Sequence, residues 1–152
     1  MITILALVGI LSAAQFAEVA QANGARAAVQ QLVEGGDWPR VIRGIGNGAP
    51  DWIGLAPELA RGSDPVAAHD LGVALARGLP RAPEAVLAVA DLRRGQAIGV
   101  QIVCSAPFAG QDPAARARYL AEARAAVDAL GELAGGKARQ VCLKELSLAA
   151  GQ

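Results

Sequence analysis

The sequence predicts a mainly α-helical fold, either a compact bundle or a short α-solenoid-like array of short helices, with at most one short extended segment. Alanine supplies 35 of the 152 residues, and it has the highest helix propensity of the amino acids. Apolar residues recur at spacings of three and four between glycines and prolines, which is typical of short amphipathic helices. A chain of this length is sufficient for one domain. Because aromatic residues make up only 3%, we expect a core of Leu, Val, Ile and Ala.

Residues 1–22 have the pattern of an export signal. An apolar run from Ile2 to Leu11 leads to Ala20-Gln21-Ala22, and small residues three and one before a bond are typical of signal-peptidase sites. The sequence therefore predicts a cleaved signal peptide over 1–22 and one α-helical domain over 23–152. No lysine or arginine precedes the run, so an uncleaved anchor and a cytosolic helix remain alternatives. The run is shorter than the roughly 20 residues that cross a bilayer, so we expect no stable membrane span.

The next three helices surround the two tryptophans. Residues 25–32 are alanine-rich and helix-competent, and a pair of glycines ends this helix. Asp37-Trp38 and Asp51-Trp52 each begin a further helix, and we expect each aspartate to cap it by accepting hydrogen bonds from free amides. The two helices would form a hairpin with the tryptophans packed inward. The alternative to core packing is a sugar or peptide groove lined by these rings.

Two helices with clear start signals follow. Asp64 is the expected cap of the first, and Pro65 occupies its first position. Its expected apolar side consists of Val66, Leu71, Leu75 and Leu79. Pro80 ends this helix, because proline disfavours helical backbone in the residue before it. Pro83 begins the next helix, expected over 84–92.

The last third of the chain combines an extended-looking run with two helices. Residues 97–104 alternate apolar and small or polar side chains, which favours a lone strand or an extended segment. Asp112-Pro113 repeats the cap-and-proline start, and the long helix is expected to run to Leu130. Gly135-Gly136 separates it from a final helix. In that helix Ala138, Cys142 and Leu146 recur at steps of four and would face the core.

Cys104 and Cys142 are the two cysteines of the chain, and we predict that they form a disulfide. An even cysteine count in an exported chain favours this bond, because the periplasm and the medium are oxidising. Two buried free thiols are the alternative. A metal site is disfavoured, since His69 is the single histidine and the three side chains have no recognisable ligand spacing.

The sequence carries no motif that predicts a catalytic residue or a bound cofactor or metal. The glycine-rich GIGNG over 44–48 follows a helical pattern rather than a strand, so we interpret it as a helix end and not as a phosphate loop. His69 and Asp70 are neighbours on a helix and diverge from each other, so they are not a natural dyad. The 14 basic and 14 acidic residues balance, and this lack of a basic field disfavours a nucleic-acid partner.

The chain resembles a family of small exported α-helical proteins of Gram-negative bacteria. The resemblance covers residues 37–146, from DWPRVIRGIGNGAPDWIGLAPEL through RGSDPVAAHDLGVALARGLPRAPEAVLAVADL to VCSAPF and VCLKEL. The shared features are two tryptophan helices, a Gly-Ser-Asp helix start and two cysteines. The resemblance supports export and the disulfide, and it implies no activity.

The sequence favours a protein-interaction module of the periplasm or the medium, such as an envelope adaptor, an inhibitor or an immunity-type binder. Helical hairpins present grooves that suit a partner helix or loop, so the expected partner is another protein of the cell envelope. Two alternatives remain. One is a cell-envelope hydrolase that uses carboxylates gathered by the fold, and the other is a membrane-tethered structural protein.

Overall fold

The computed structural model of the protein describes residues 9–10 and 12–152, and this part of the chain forms ten helices. Most of the predicted signal peptide's apolar run therefore lies outside the described residues. The helices are α1 Ala13–Asn23, α2 Ala25–Glu34, α3 Trp38–Gly46, α4 Pro50–Gly54, α5 Ala56–Gly62, α6 Pro65–Gly78, α7 Pro83–Val89, α8 Val100–Val103, α9 Pro113–Asp128 and α10 Gly131–Ala150. The described residues contain no strand, so the mainly α prediction is confirmed.

Two predicted caps begin two of the longer helices. An oxygen of Asp64 accepts a hydrogen bond of 2.8 Å from the amide of Ala67 at the start of α6. The carboxylate of Asp112 accepts one of 3.1 Å from Ala115 at the start of α9. In both helices proline occupies the first turn, where its missing N–H removes no hydrogen bond.

The predicted caps at Asp37 and Asp51 are wrong. The backbone of Asp37 is already in the right-handed helical region, at φ −88° and ψ −16°, so its carboxylate does not lie over the first turn. It instead pairs with Arg40 at 3.5 Å. Asp51 is the second residue of α4, which follows Ala49, and it accepts a hydrogen bond of 2.8 Å from its neighbour Trp52. Both tryptophans are nevertheless buried.

Helix α6 lies at the centre of the fold and packs along α3. Leu71, Leu75 and Leu79 are completely buried, as predicted, whereas Val66 is 72% exposed. The prediction for Val66 is wrong because five residues separate it from Leu71, which corresponds to a rotation of about 140° around the helix. Ala67 lies four residues before Leu71 and is buried in its place.

Glycines allow neighbouring helices to approach closely. A Cβ atom on Gly62 of α5 would lie 2.3 Å from the carbonyl oxygen of Ala25 in α2. A Cβ atom on Gly78 of α6 would lie 2.5 Å from the carbonyl oxygen of Ile45 in α3. Because real Cβ atoms do not approach oxygen this closely, these two helix contacts require glycine.

The prediction of an extended run over 97–104 is wrong, because Val100–Val103 form one turn of helix. Val100, Val103 and Cys104 are completely buried, whereas Ile102 is 42% exposed. Burial at spacings of three and four is helical, and it overrides the local alternation of the sequence. The extended backbone is limited to Gly99 and to an isolated bridge between Asp91 and Gly99.

The last two helices pack against each other. Helix α9 ends at Asp128, before the expected Leu130, and α10 begins at Gly131. Gly136, at φ 51° and ψ −142°, interrupts α10, so the predicted Gly-Gly break appears as a kink inside this helix. The guanidinium of Arg139 donates to the carbonyl of Val127 at 3.2 Å and to that of Asp128 at 3.0 Å. These hydrogen bonds supply donors to backbone carbonyl groups in the last turn of α9.

The predicted disulfide is confirmed. The sulfur atoms of Cys104 and Cys142 are 2.03 Å apart, and the two Cα atoms are 5.3 Å apart. Both residues are completely buried. The bond joins the end of α8 to the middle of α10.

Among residues 9–10 and 12–152, no helix combines the length and the hydropathy that a bilayer crossing requires.

We expect Gly62→Ala to lower the free energy of unfolding by about 3 kcal/mol, because the added methyl group forces α5 away from α2. Gly54→Ala is the matched control, since a Cβ atom at Gly54 would meet no atom within 4 Å. The control should be neutral or stabilise by up to about 1 kcal/mol. Urea unfolding followed by circular dichroism measures both. Equal stability of the two variants would contradict the close helix contact.

Replacing both cysteines by alanine should lower the free energy of unfolding by about 4 kcal/mol. The disulfide closes a loop with a sequence separation of 38, and opening it restores conformational entropy to the unfolded chain. Urea unfolding of the wild type with and without reducing agent gives the same comparison without a mutation. An unchanged midpoint after both thiols have been alkylated would refute this expectation.

Candidate functional site

An open cleft of about 1280 Å³ lies on one side of α6. Its lining comes from α3, the turn after α3, α6, the turn after α6, the segment 107–111 and α9. The elements that form it are separated in sequence and meet because α3 packs along α6. The cleft is therefore a product of the tertiary fold.

Two aromatic rings form one wall of the cleft. Phe108 and Tyr119 contact each other edge to face, with their ring centroids 4.8 Å apart. The guanidinium carbon of Arg77 lies 5.5 Å from the centroid of the Phe108 ring, which is within the range of a cation–π interaction. The hydroxyl of Tyr119 donates a hydrogen bond to the carbonyl of Ala76 on α6. This bond links α9 to α6 beside the cleft.

The segment that carries Phe108 is fixed at several points. Cys104 ties its start to α10. Ala106 is buried and has a positive φ of 51°, a conformation that alanine adopts at a cost of about 1 kcal/mol or more. The carbonyl of Ala106 accepts hydrogen bonds of 2.8 Å from the amide of Phe108 and 2.8 Å from the guanidinium of Arg116. These contacts turn the chain so that Phe108 reaches the cleft.

Three arginines give the cleft a surplus of positive charge. Arg43, Arg77 and Arg81 line it together with the two carboxylates Asp70 and Glu122. None of the three arginines forms an ion pair with any residue in the described part of the chain. Arg81 donates a hydrogen bond of 3.2 Å to the side-chain oxygen of Asn47, which orients its guanidinium at the edge. The three side chains are exposed, so they can bind an anion without a large desolvation cost.

Asp70 has a structural partner within the fold. One of its oxygens accepts a hydrogen bond of 3.3 Å from the indole nitrogen of Trp38. His69 is exposed and lies on the cleft lining beside Asp70. Their roles differ, because Asp70 satisfies a buried tryptophan while His69 faces solvent.

Gln111 places a polar atom without a partner at the cleft. Its side-chain oxygen is buried and accepts no hydrogen bond from any described residue. A buried acceptor without a donor costs about 1–3 kcal/mol. Because this oxygen is inaccessible to solvent, a molecule in the cleft does not reach it without a movement of the side chain.

Burial raises the pKa of the Tyr119 hydroxyl far above its usual range, because the charged phenolate is poorly solvated there. Tyr119 is consequently a neutral hydrogen-bond donor at every physiological pH. Outside the cleft lining, hydrogen bonds from exposed Arg93 lower the pKa of Asp91.

The tryptophans pack in the core as predicted. Trp38 and Trp52 are each 7% exposed. Trp52 contacts the ring of Phe16 at a centroid distance of 6.1 Å, and neither tryptophan lines the cleft. The GIGNG stretch ends α3, with Gly48 at φ 86°, so its interpretation as a helix end is confirmed. Within the described residues no three His, Cys, Asp or Glu side chains gather as metal ligands could.

The sequence patterns did not identify the cleft residues. Arg43 and Arg77 stand opposite the apolar stripes of α3 and α6, where an arginine looks like an ordinary solvent-facing residue. The composition was the one feature of the sequence that bears on these residues: twelve of the 14 basic residues are arginine, and Tyr119 is the single tyrosine. Arginine favours the binding of carboxylates and phosphates, but composition does not say which arginines converge.

No family of known proteins, no curated protein and no solved structure matches this chain.

We expect the ionisation of Tyr119 to be coupled to unfolding. The folded state raises its pKa, so its contribution to stability is complete below the unfolded pKa of about 10 and is lost as the pH rises above it. Tyr119 is the single tyrosine, so the part of the absorbance change at 295 nm that is missing in Tyr119→Phe reports its ionisation. Tyrosinate and loss of helix should appear together in an alkaline titration.

Tyr119→Phe is the control for this titration. The variant should lose less stability at alkaline pH than the wild type, because it has no phenol group that can ionise. It should also cost about 1 kcal/mol at neutral pH, because the carbonyl of Ala76 loses its donor. Formation of tyrosinate near its ordinary pKa with unchanged circular dichroism would contradict the buried hydroxyl.

Proposed function

We propose that this protein is a protein-interaction module of the cell envelope and that its cleft binds an acidic segment of a partner protein. The observation that carries this proposal is the set of three cleft arginines, Arg43, Arg77 and Arg81, without ion-pair partners among the described residues. Guanidinium groups bind carboxylates through paired hydrogen bonds.

The other cleft groups support a peptide as the ligand rather than a small anion. Phe108 and the aliphatic part of Arg77 offer an apolar surface beside the charges. An acidic peptide supplies carboxylates and apolar contact area together, whereas an inorganic anion supplies only charge.

The disulfide supports the compartment. Such bonds persist in oxidising surroundings and are rare in a reducing cytosol, and the Cys104–Cys142 bond is completely buried. Together with the export-like N-terminal sequence and the resemblance to small exported proteins, it favours the periplasm or the medium as the place where the partner is met.

The hydrolase remains the second candidate because Asp70 and Glu122 both line the cleft. Paired carboxylates perform general acid and base catalysis in several classes of hydrolase. The bond from Trp38 occupies one oxygen of Asp70, which favours a structural use of this carboxylate. The two functions predict opposite results for Glu122→Gln: a hydrolase loses activity, whereas a binder of acidic peptides gains affinity because a like charge is removed.

Binding of a fluorescent glutamate-rich peptide tests the proposal. Replacement of Arg43, Arg77 and Arg81 by glutamine should weaken binding about tenfold or more, because each exposed charge pair contributes up to about 1 kcal/mol. The matched control replaces three exposed arginines outside the cleft, Arg26, Arg94 and Arg118. It changes the net charge equally and should change affinity much less.

Two further comparisons sharpen this experiment. A peptide with glutamine in place of glutamate should bind weakly to the wild type, and affinity for the acidic peptide should fall as salt rises, because exposed charges are screened. Equal affinities of the cleft variant and the control variant would overturn the proposed site.

A further inference from the structure

Helix α1 has the surface pattern of a domain helix. Ala13, Phe16 and Ala20 are buried at spacings of three and four, and Phe16 is completely inaccessible to solvent. Glu18 is exposed on the other side. This division into an apolar and a polar face is expected of a helix that packs on a protein core, whereas an export signal requires an apolar run and a small-residue cut site.

Helix α1 and the preceding Ile10 contact three other helices. It packs along α2, and the ring of Phe16 lies against that of Trp52 in α4. Just before the helix, Ile10 is 1% exposed, and its carbonyl accepts a hydrogen bond of 2.7 Å from Arg40 in α3. Ile10 and α1 therefore cover part of the core.

Both ends of α1 are stabilised locally. Ser12 and Gln15 form a capping box, with two reciprocal hydrogen bonds of 3.1 Å between side chain and backbone. At the other end the amide of Gly24 donates to the carbonyl of Ala20 at 2.8 Å. Gly24, at φ 90°, connects α1 directly to α2, so the Ala22–Asn23 bond lies in the last turn of a continuous pair of helices.

We propose that α1 is retained in the mature protein from Phe16 onward, so that a cut that removes a leader falls before Phe16 rather than after Ala22. A cut after Ala22 would remove Phe16 and uncover the Trp52 ring that it contacts. Ser12 and Ala14 also stand three and one positions before the Ala14–Gln15 bond. A cut there leaves Phe16 in the domain, although it removes the Ser12 cap and the buried Ile10 and Ala13.

The mature N-terminus decides between the two cuts. The full chain is expressed with its own N-terminal sequence in a Gram-negative host, purified, and measured by intact mass and N-terminal sequencing. An N-terminus at Phe16 or at any earlier residue supports the proposal. An N-terminus at Asn23, or at any position after Phe16, overturns it.

A stability measurement on the same purified chain provides an independent test. Phe16→Ala should lower the melting temperature by about 10 °C, since truncating a buried phenylalanine leaves a cavity. Phe16→Leu should lower it by a few degrees, and it replaces the alanine variant if that variant does not fold. Glu18→Ala, on the exposed side of the same helix, is the control and should melt like the wild type. Identical melting of Phe16→Leu and the wild type would overturn retention of α1.

Discussion

The covalent bond between Cys104 and Cys142 anchors a part of the chain that has little helix to stabilise it. Helix α8 is only four residues long, and an isolated helix of this length is unstable in water. The following loop includes Ala106 in a strained left-handed conformation and carries Phe108 to the cleft. The disulfide holds the start of this loop against α10, and Arg116 holds its middle. The shape of the aromatic wall depends on both attachments.

The small side chains of the core place a second constraint on the fold. With alanine abundant and aromatic residues rare, the helices must approach closely to exclude solvent. Gly62 and Gly78 make this possible at the contacts of α5 with α2 and of α6 with α3. The contact of α6 with α3 also sets the spacing of Arg43 and Arg77, which stand on those two helices. The close packing of the core thereby determines how far apart the cleft charges lie.

Some polar side chains bind groups within the fold, and others are exposed at the cleft. Asp70 and Arg40 bind groups of the fold itself, the indole of Trp38 and the carbonyl of Ile10. The exposed cleft arginines retain N–H groups that can bind a ligand in the cleft. The proposed binding function is based on these arginine groups, which meet at one concave surface, and not on a catalytic motif.

The sequence by itself determined the helical class, the caps at Asp64 and Asp112, the burial of both tryptophans and the pairing of the cysteines. Caps act within three residues and helical stripes within a few turns, so one stretch of sequence contains the relevant information. The tertiary structure alone decided that residues 100–103 are helical, that Val66 is exposed, and that arginines from α3, α6 and the turn after α6 share a cleft with Tyr119. These outcomes depend on which distant elements come into contact, and local spacing carries no information about that.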